Sequence, residues 1–157
     1  GNPHNRMVLM RHINEQEIGF FTNLESNKAA DIFATQRTSS TLWWPQLGRQ
    51  VRIEGTAAEM PRDMVEEYYQ SRPRNSKIAA WASKQSTELA SMDRLHQEFR
   101  QYEEKFSDKT VPTPTFWGGF TILVDKIEYW YGKPFRLHER IILTKGEKSW
   151  SKTRIYP

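Results

Sequence analysis

Apolar and polar positions change their period several times along this chain, and each change marks an element. Val51, Ile53 and Gly55 alternate with Arg52, Glu54 and Thr56. That two-residue period is that of a strand with one buried face, and it predicts a strand over Gln50–Ala57. Ser39–Trp44 reads as its neighbour. Arg6–His12 and Ile18–Asn23 are apolar runs joined by a polar Asn-Glu-Gln-Glu stretch, the signature of a hairpin. Phe120–Trp130, Phe135–Leu143 and Trp150–Ile155 supply the remaining strands. Ser26 suits the N-cap of a short helix through Lys28-Ala29-Ala30-Asp31-Ile32-Phe33. Pro61 suits the first helical position of Arg62–Gln70. A second helix covers Ser76–Ser83. A longer one covers Met92–Phe106, where Leu95, Phe99, Tyr102 and Phe106 recur at helical spacing. Pro112 and Pro114 close the helical half. Strands at both ends with helices between them predict an α+β chain, a mainly antiparallel barrel or sheet with peripheral helices.

Composition adds a constraint on the core. The chain has 157 residues, enough for one domain, yet only 37% are apolar, against roughly 45–50% in typical globular chains. Six tryptophans make the core one of few, large side chains. So thin an apolar content predicts an oligomer, in which a second copy completes the burial. Cysteine is absent, which excludes disulfides, thiolate metal sites and a thiol nucleophile and fits a reducing, cytoplasmic setting. No apolar run approaches the ~18–20 residues of a membrane span, and residues 1–10 lack the charge-then-apolar pattern of a signal peptide. The net charge of +4 is too small to mark a nucleic-acid binder. No repeat or linker-like stretch divides residues 1–157. Gly1-Asn2-Pro3 is turn chemistry leading straight into a strand, which predicts that a preceding strand is missing from this chain.

Five constellations are candidates for chemistry. In Arg136-Leu137-His138-Glu139-Arg140, a strand would place Arg136, His138 and Arg140 on one face. Two guanidiniums around an imidazole fit an anion or an acidic partner; a solvated edge strand fits equally. Arg72-Pro73-Arg74-Asn75-Ser76 suits a phosphate clamp at a helix start, or an ordinary helix–helix joint. Ser26-Asn27-Lys28 offers backbone N–H groups and an ammonium to an anion, or a plain N-cap. Ser83-Lys84-Gln85-Ser86 is a polar run after Trp81, or a helix end. Phe116-Trp117-Gly118-Gly119-Phe120 allows close backbone approach or a bend. No HExxH, GxSxG, GxxxxGK[ST] or GxGxxG motif occurs, and His4, His12, His96 and His138 have no metal-ligand spacing. Glu66-Glu67 and Glu103-Glu104 are adjacent on helices and cannot face each other. No metal is expected. With no nucleophile in evidence, an enzyme here would rely on a cofactor.

Taken together, these blocks resemble the pyridoxamine/pyridoxine 5′-phosphate oxidase family of FMN-binding split barrels. Ile127-Glu128-Tyr129-Trp130 followed by Arg136-Leu137-His138-Glu139-Arg140 looks like the family signature in order and spacing. Ser71-Arg72-Pro73-Arg74-Asn75-Ser76-Lys77-Ile78 with Trp81-Ala82-Ser83-Lys84-Gln85-Ser86, Arg49-Gln50-Val51, Phe116-Trp117-Gly118-Gly119 and Arg6-Met7-Val8-Leu9 are similar to four further family segments. The resemblance covers essentially the whole chain. It implies a homodimeric split barrel that oxidises pyridoxamine or pyridoxine 5′-phosphate at C4′ to pyridoxal 5′-phosphate, with O₂ reduced to H₂O₂.

The resemblance also implies residue roles. FMN would lie along Arg6, Met7, Val8, Leu9, Met10 and Arg11. Phe21, Thr22, Asn27, Lys28 and Gln50 would add contacts, with Lys28 on its phosphate. Gln85 and Ser86, from the second subunit, would join Trp130 and Arg140 at the same flavin. Arg11, Tyr68, Arg72 and Ser76 would grip the substrate phosphate. Arg136, Leu137 and His138 would hold the pyridine ring, Arg136 and His138 being the catalytic pair. Three positions depart from the family pattern: Arg11 stands for a usual Lys, Asn27 for a basic residue and Phe21 for a Tyr. The family's N-terminal strand and flexible substrate cover have no counterpart in these residues. Two alternatives stay open: a related split-barrel flavin oxidase with another substrate, as in phenazine biosynthesis, and a non-catalytic module for FMN, pyridoxal phosphate or single-stranded nucleic acid.

Overall fold

The computed structural model describes residues 3–157; the turn expected at Gly1-Asn2 lies outside them. Strands β1 (Met10–Ile13) and β2 (Glu17–Asn23) form the expected hairpin. Helix α1 (Asn27–Thr35) leads to β3 (Arg37–Trp44) and β4 (Arg49–Glu59). Helices α2 (Arg62–Ser71), α3 (Arg74–Ala82) and α4 (Met92–Lys105) follow. Strands β5 (Trp117–Tyr131), β6 (Glu139–Lys145) and β7 (Trp150–Ile155) end the chain.

Every pairing is antiparallel, and one long strand organises the sheet. Strand β5 pairs β4 along one edge, from Phe120 to Tyr131. Its other edge is shared: β2 lies opposite Trp117–Leu123 and β6 opposite Lys126–Tyr131. The sheet forks where β2 gives way to β6 and does not close, which makes this a split rather than a continuous barrel. Asp125 has no partner on β4, because the register shifts between Glu54 and Gly55. A bulge of this kind bends and twists the strand, here at the fork. Arg37 Nη1 meets the Asp125 carboxylate at 2.5 Å.

Two cores result. Ile18, Phe20, Ile53, Ala57, Phe120, Ile122 and Val124 fill the sheet side against Ala29 and Ile32 of α1. Tyr69, Ile78, Ala80, Phe106 and Val111 fill the helical side, with Phe99, Tyr102, Trp81 and Trp117 packed around them. In β4, Ile53, Gly55 and Ala57 are buried while Arg52 is exposed, as the alternation requires.

Several boundaries differ from the sequence expectation. Residues 6–9 precede β1 rather than belonging to it. Pro61 is the N-cap of α2, not its first helical residue. Ser26 is the N-cap of α1, but its hydroxyl donates to the Asn23 carbonyl at 2.7 Å instead of capping the helix. Most consequentially, β6 starts at Glu139. Pro134 opens a 3-10 turn over Pro134–Arg136, and Phe135 and Arg136 take left-handed φ of 58° and 61°. Proline has no N–H for a ladder, and left-handed residues cannot continue a strand. Arg136 and His138 therefore do not share a strand face with Arg140.

Candidate functional site

A cleft of about 210 Å³ opens between the start of the chain, β2, α1, α2 and the segment after α3. It is lined by Met7, Val8, Leu9, Arg11, Phe21, Thr22, Asn23, Lys28, Tyr68, Arg72, Gln85 and Trp117. Ten of these were expected at a site from sequence; Asn23 and Trp117 carried no assigned role. Lys28, on the first turn of α1, anchors one side. Its ammonium donates to Thr22 Oγ1 at 3.0 Å, Ser26 Oγ at 3.1 Å and Gln85 Oε1 at 2.7 Å. Burial, and then the nearby Arg6 guanidinium, push its pKa down. A desolvated cation with a second cation beside it is a place where an anion is stabilised.

Arg72 anchors the other side, at the C-cap of α2. Its guanidinium lies 4.2 Å from the Trp117 ring centre and 5.5 Å from that of Tyr69. Burial lowers its pKa. Its buried Nη1 has no hydrogen-bond partner in the chain. A buried, unpaired guanidinium N–H is costly, and a ligand oxyanion would satisfy it. Also lining the cleft, Phe21 stacks on Tyr68, with ring centres 3.9 Å apart at 11°.

The second arginine of the RPR motif does something else. Arg74 donates to the carbonyls of Phe106, Lys109 (3.0 Å) and Ser107 (3.4 Å), so it caps the C-terminus of α4 and not a phosphate. Ser76 sits in the first turn of α3, outside the cleft lining. Arg6 reaches Asp31 at 3.4 Å, a carboxylate that His4 also meets at 3.0 Å. Gln85 and Ser86 were expected from a second subunit. In the structure they meet Lys28 and the Asn27 backbone N–H (3.2 Å to Ser86 Oγ) within one chain. Gly118 and Gly119 lie inside β5 rather than at a bend. A Cβ on Gly119 would stand 2.7 Å from Met60 Sδ and 2.8 Å from the Phe20 carbonyl.

The remaining expected residues form a second group at the far end of β5. Register places Gln50 of β4 opposite Trp130, and Trp130 opposite Arg140 of β6, so the three share one face. The His138 ring lies 4.6 Å from the Trp130 ring, and its Nδ1 accepts from the Lys133 backbone N–H at 3.2 Å. That acceptor role leaves the proton of a neutral imidazole on Nε2. Arg136 and Leu137 are exposed on the adjoining turn, Leu137 to 70%. Arg140 is paired with Glu128 through Nε (2.7 Å) and Nη2 (3.1 Å). Glu128 had no role from sequence. The signal was present in the alternation that puts it two residues from Trp130 on the same face, opposite Arg52.

Comparison with known proteins decides what this double arrangement belongs to. Residues 1–132 match the pyridoxamine 5′-phosphate oxidase family, and residues 117–157 match the family's pyridoxine 5′-phosphate oxidase C-terminal dimerisation region. The chain belongs to the pyridoxamine 5′-phosphate oxidase family. A pyridoxine/pyridoxamine 5′-phosphate oxidase of Psychromonas ingrahamii is 41% identical over 157 residues, covering all of this chain and 72% of the relative. That of Pseudoalteromonas atlantica is 42% identical over 158 residues, covering all of this chain and 74% of the relative. Among solved structures, PhzG from Burkholderia lata, in complex with tetrahydrophenazine-1-carboxylic acid, superposes with a TM-score of 0.89 at 23% identity, over 97% of this chain and 74% of that one. A pyridoxamine 5′-phosphate oxidase-related, FMN binding protein from Nostoc punctiforme gives 0.78 at 14% identity, over all of this chain and 82% of that one. Both share the fold. The dimerisation region spans β5–β7, and its residues include the exposed apolar side chains Phe135 (93%), Leu137 and Trp150 (41%).

A larger hollow of about 280 Å³ between α3 and α4 holds none of the expected site residues. Among the described residues no group of acidic or histidine side chains could hold a metal ion, and no helix is long and apolar enough to cross a membrane.

Proposed function

We propose that this chain is an FMN-dependent oxidase that converts pyridoxamine or pyridoxine 5′-phosphate to pyridoxal 5′-phosphate. The observation that carries the reading is the cleft itself. It is lined by two desolvated cations, Lys28 and Arg72, together with Arg11 and the stacked pair Phe21 and Tyr68. Two planar ligands, each bearing a phosphate, match that distribution. The residues fit FMN: Lys28 is desolvated and already surrounded by hydroxyl and amide oxygens, and the chain from Arg6 to Arg11 runs beside it. Arg72, with its unpaired buried N–H, fits the substrate phosphate, helped by Arg11 and Tyr68.

Residues 1–157 act as one split-barrel domain, and the working unit is a homodimer with the flavin at the subunit interface. The cleft, at about 210 Å³, is smaller than the ~300–1,000 Å³ usual for cofactor sites, which accords with a site completed by a second copy. The second group lies away from the cleft along β5. Trp117 and Trp130 are at opposite ends of the fifteen-residue β5, some ~40 Å of strand path at ~3.3 Å per residue. A second copy that brings Gln50, Trp130, Arg140, Arg136 and His138 to the cleft completes the site.

Bound FMN would supply a two-electron acceptor for the C4′ oxidation, with O₂ as the terminal oxidant and H₂O₂ its product. The protein's part is alignment. Arg72, Arg11 and Tyr68 fix the phosphate end of the substrate. Arg136 and His138 of the partner subunit hold the pyridine ring and its C4′ group, with His138 kept in one tautomer by the Lys133 N–H. A cytoplasmic location accords with the absence of cysteine.

The test is direct. Purified protein reconstituted with FMN should be yellow, and its flavin absorbance should bleach when pyridoxine 5′-phosphate is added without oxygen. Bleaching only by a non-phosphorylated substrate would overturn the substrate assignment, and failure to bind FMN would overturn the flavin reading.

A further inference from the structure

Glu128 is an acid in the middle of a sheet, 5% exposed, where carboxylates are rare unless paired. Arg140 Nε and Nη2 grip its two oxygens at 2.7 and 3.1 Å, a parallel fork. Arg140 Nη1 donates to the Tyr156 carbonyl at 3.2 Å. Arg52, directly opposite on β4, adds a longer contact of 3.5 Å and is itself 46% exposed. The Arg140 hydrogen bonds hold the Glu128 carboxyl below the usual carboxylate range despite its burial, and Glu128 in turn raises the pKa of Arg140.

A buried ion pair adds little net stability compared with apolar side chains of the same volume. What it does fix is geometry. Guanidinium has five N–H donors. Three are engaged here, leaving one on each terminal nitrogen, in a plane locked at three points. Because Glu128 cancels the charge of Arg140, any ligand contact Arg140 makes rests on the direction of those two donors more than on net charge. Arg140 shares its sheet face with Trp130 and Gln50.

We propose that Glu128 is a positioning residue for the cofactor: it clamps Arg140 in the single orientation in which its two remaining N–H groups meet bound FMN. The proposal rests on the reading above that Arg140 contacts the flavin, and a double-mutant cycle separates the two. FMN dissociation constants are measured by quenching of flavin fluorescence for wild type, Glu128→Gln, Arg140→Lys and the double variant. Arg140→Lys keeps the charge and removes the fork. We expect each single change to weaken FMN about tenfold and the double variant to be no weaker than Arg140→Lys within about twofold. Arg52→Gln, which leaves the fork intact, should keep wild-type affinity. Glu128→Asp, which keeps the charge but withdraws the fork by one methylene, should weaken binding a few-fold at an unchanged melting temperature, and it serves if Glu128→Gln fails to fold. Weakening by Arg140→Lys with wild-type affinity in Glu128→Gln or Glu128→Asp overturns the positioning role alone. Additive losses in the double variant overturn it too, since Glu128 then acts independently of Arg140. Wild-type affinity in Arg140→Lys overturns both the role and the reading beneath it.

Discussion

Arg72 shows how one side chain can be set against stability and toward binding. Its guanidinium is desolvated beneath Trp117 and leaves a buried N–H unpaired. Replacing it with Met should leave the ligand-free protein as stable or more so, because an unpaired buried cation disappears. The same change should raise KM for the phosphorylated substrate about 10- to 100-fold, the scale of one or two charge-assisted hydrogen bonds. Thermal melts and steady-state kinetics on one preparation check both halves. Asn27 works in the opposite sense. It sits beside Lys28 at the start of α1, a position for which the family resemblance leads to the expectation of a cation, so Asn27→Arg should tighten FMN by about 1–2 kcal/mol, read as a lower dissociation constant in flavin titration. Tyr69 sets a limit at high pH. Burial pushes its pKa up to about 12, while its hydroxyl donates to the Lys77 carbonyl at 2.8 Å. The native state keeps this proton while an unfolded tyrosine loses it near pH 10. The contribution is therefore complete below pH 10 and fades as pH rises toward 12, by about 1.4 kcal/mol per pH unit. Denaturant melts at pH 9 and pH 11 should show this loss in wild type and not in Tyr69→Phe.

Strand β5 is the element on which the rest depends, since it touches β2, β4 and β6 and links both site groups. Its fork requires close backbone approach on β4. A Cβ on Gly55 would stand 2.2 Å from the Leu123 carbonyl oxygen, a contact that only backbone movement could relieve. Gly55→Ala should cost at least the ~1–3 kcal/mol of an overpacked core site, measured by chemical denaturation. Gly48 gives the contrast. Its φ of +56° is left-handed, but nothing lies within 4 Å of the point a methyl would occupy, so Gly48→Ala should cost only the ~1–2 kcal/mol of the backbone conformation.

For the whole molecule the decisive feature is the separation of the two groups along β5. If each site joins one chain's cleft to the other chain's second group, Arg72→Ala and Arg136→Ala lie in different halves of every site. Either variant alone inactivates both sites of its homodimer. Mixed in equal amounts and allowed to exchange, the two variants form heterodimers with one intact site, and activity should recover to about a quarter of wild type by subunit statistics. No recovery, with exchange demonstrated by mass labelling, would mean that both residues serve a site from the same chain.

The order of strands and helices, the cation-rich and aromatic clusters and the family itself could all be read from the chain, because period, turn residues and motif spacing are local. Val51, Ile53 and Gly55 announced their strand, and Leu95 to Phe106 their helix, within a few turns of backbone. Tertiary structure alone assigned the arginines. Arg72 faces the cleft and Arg74 the end of α4, although they are two residues apart and chemically identical. Only the folded sheet shows that Glu128 neutralises Arg140, since the two meet diagonally across the β5–β6 pair, twelve residues apart in sequence. Two left-handed residues took Arg136 and His138 off the strand that alternation implied. Charge count and motif say which chemistry a chain can perform; which cation performs it is settled by burial and by partners distant in sequence, and these exist only once the sheet has formed.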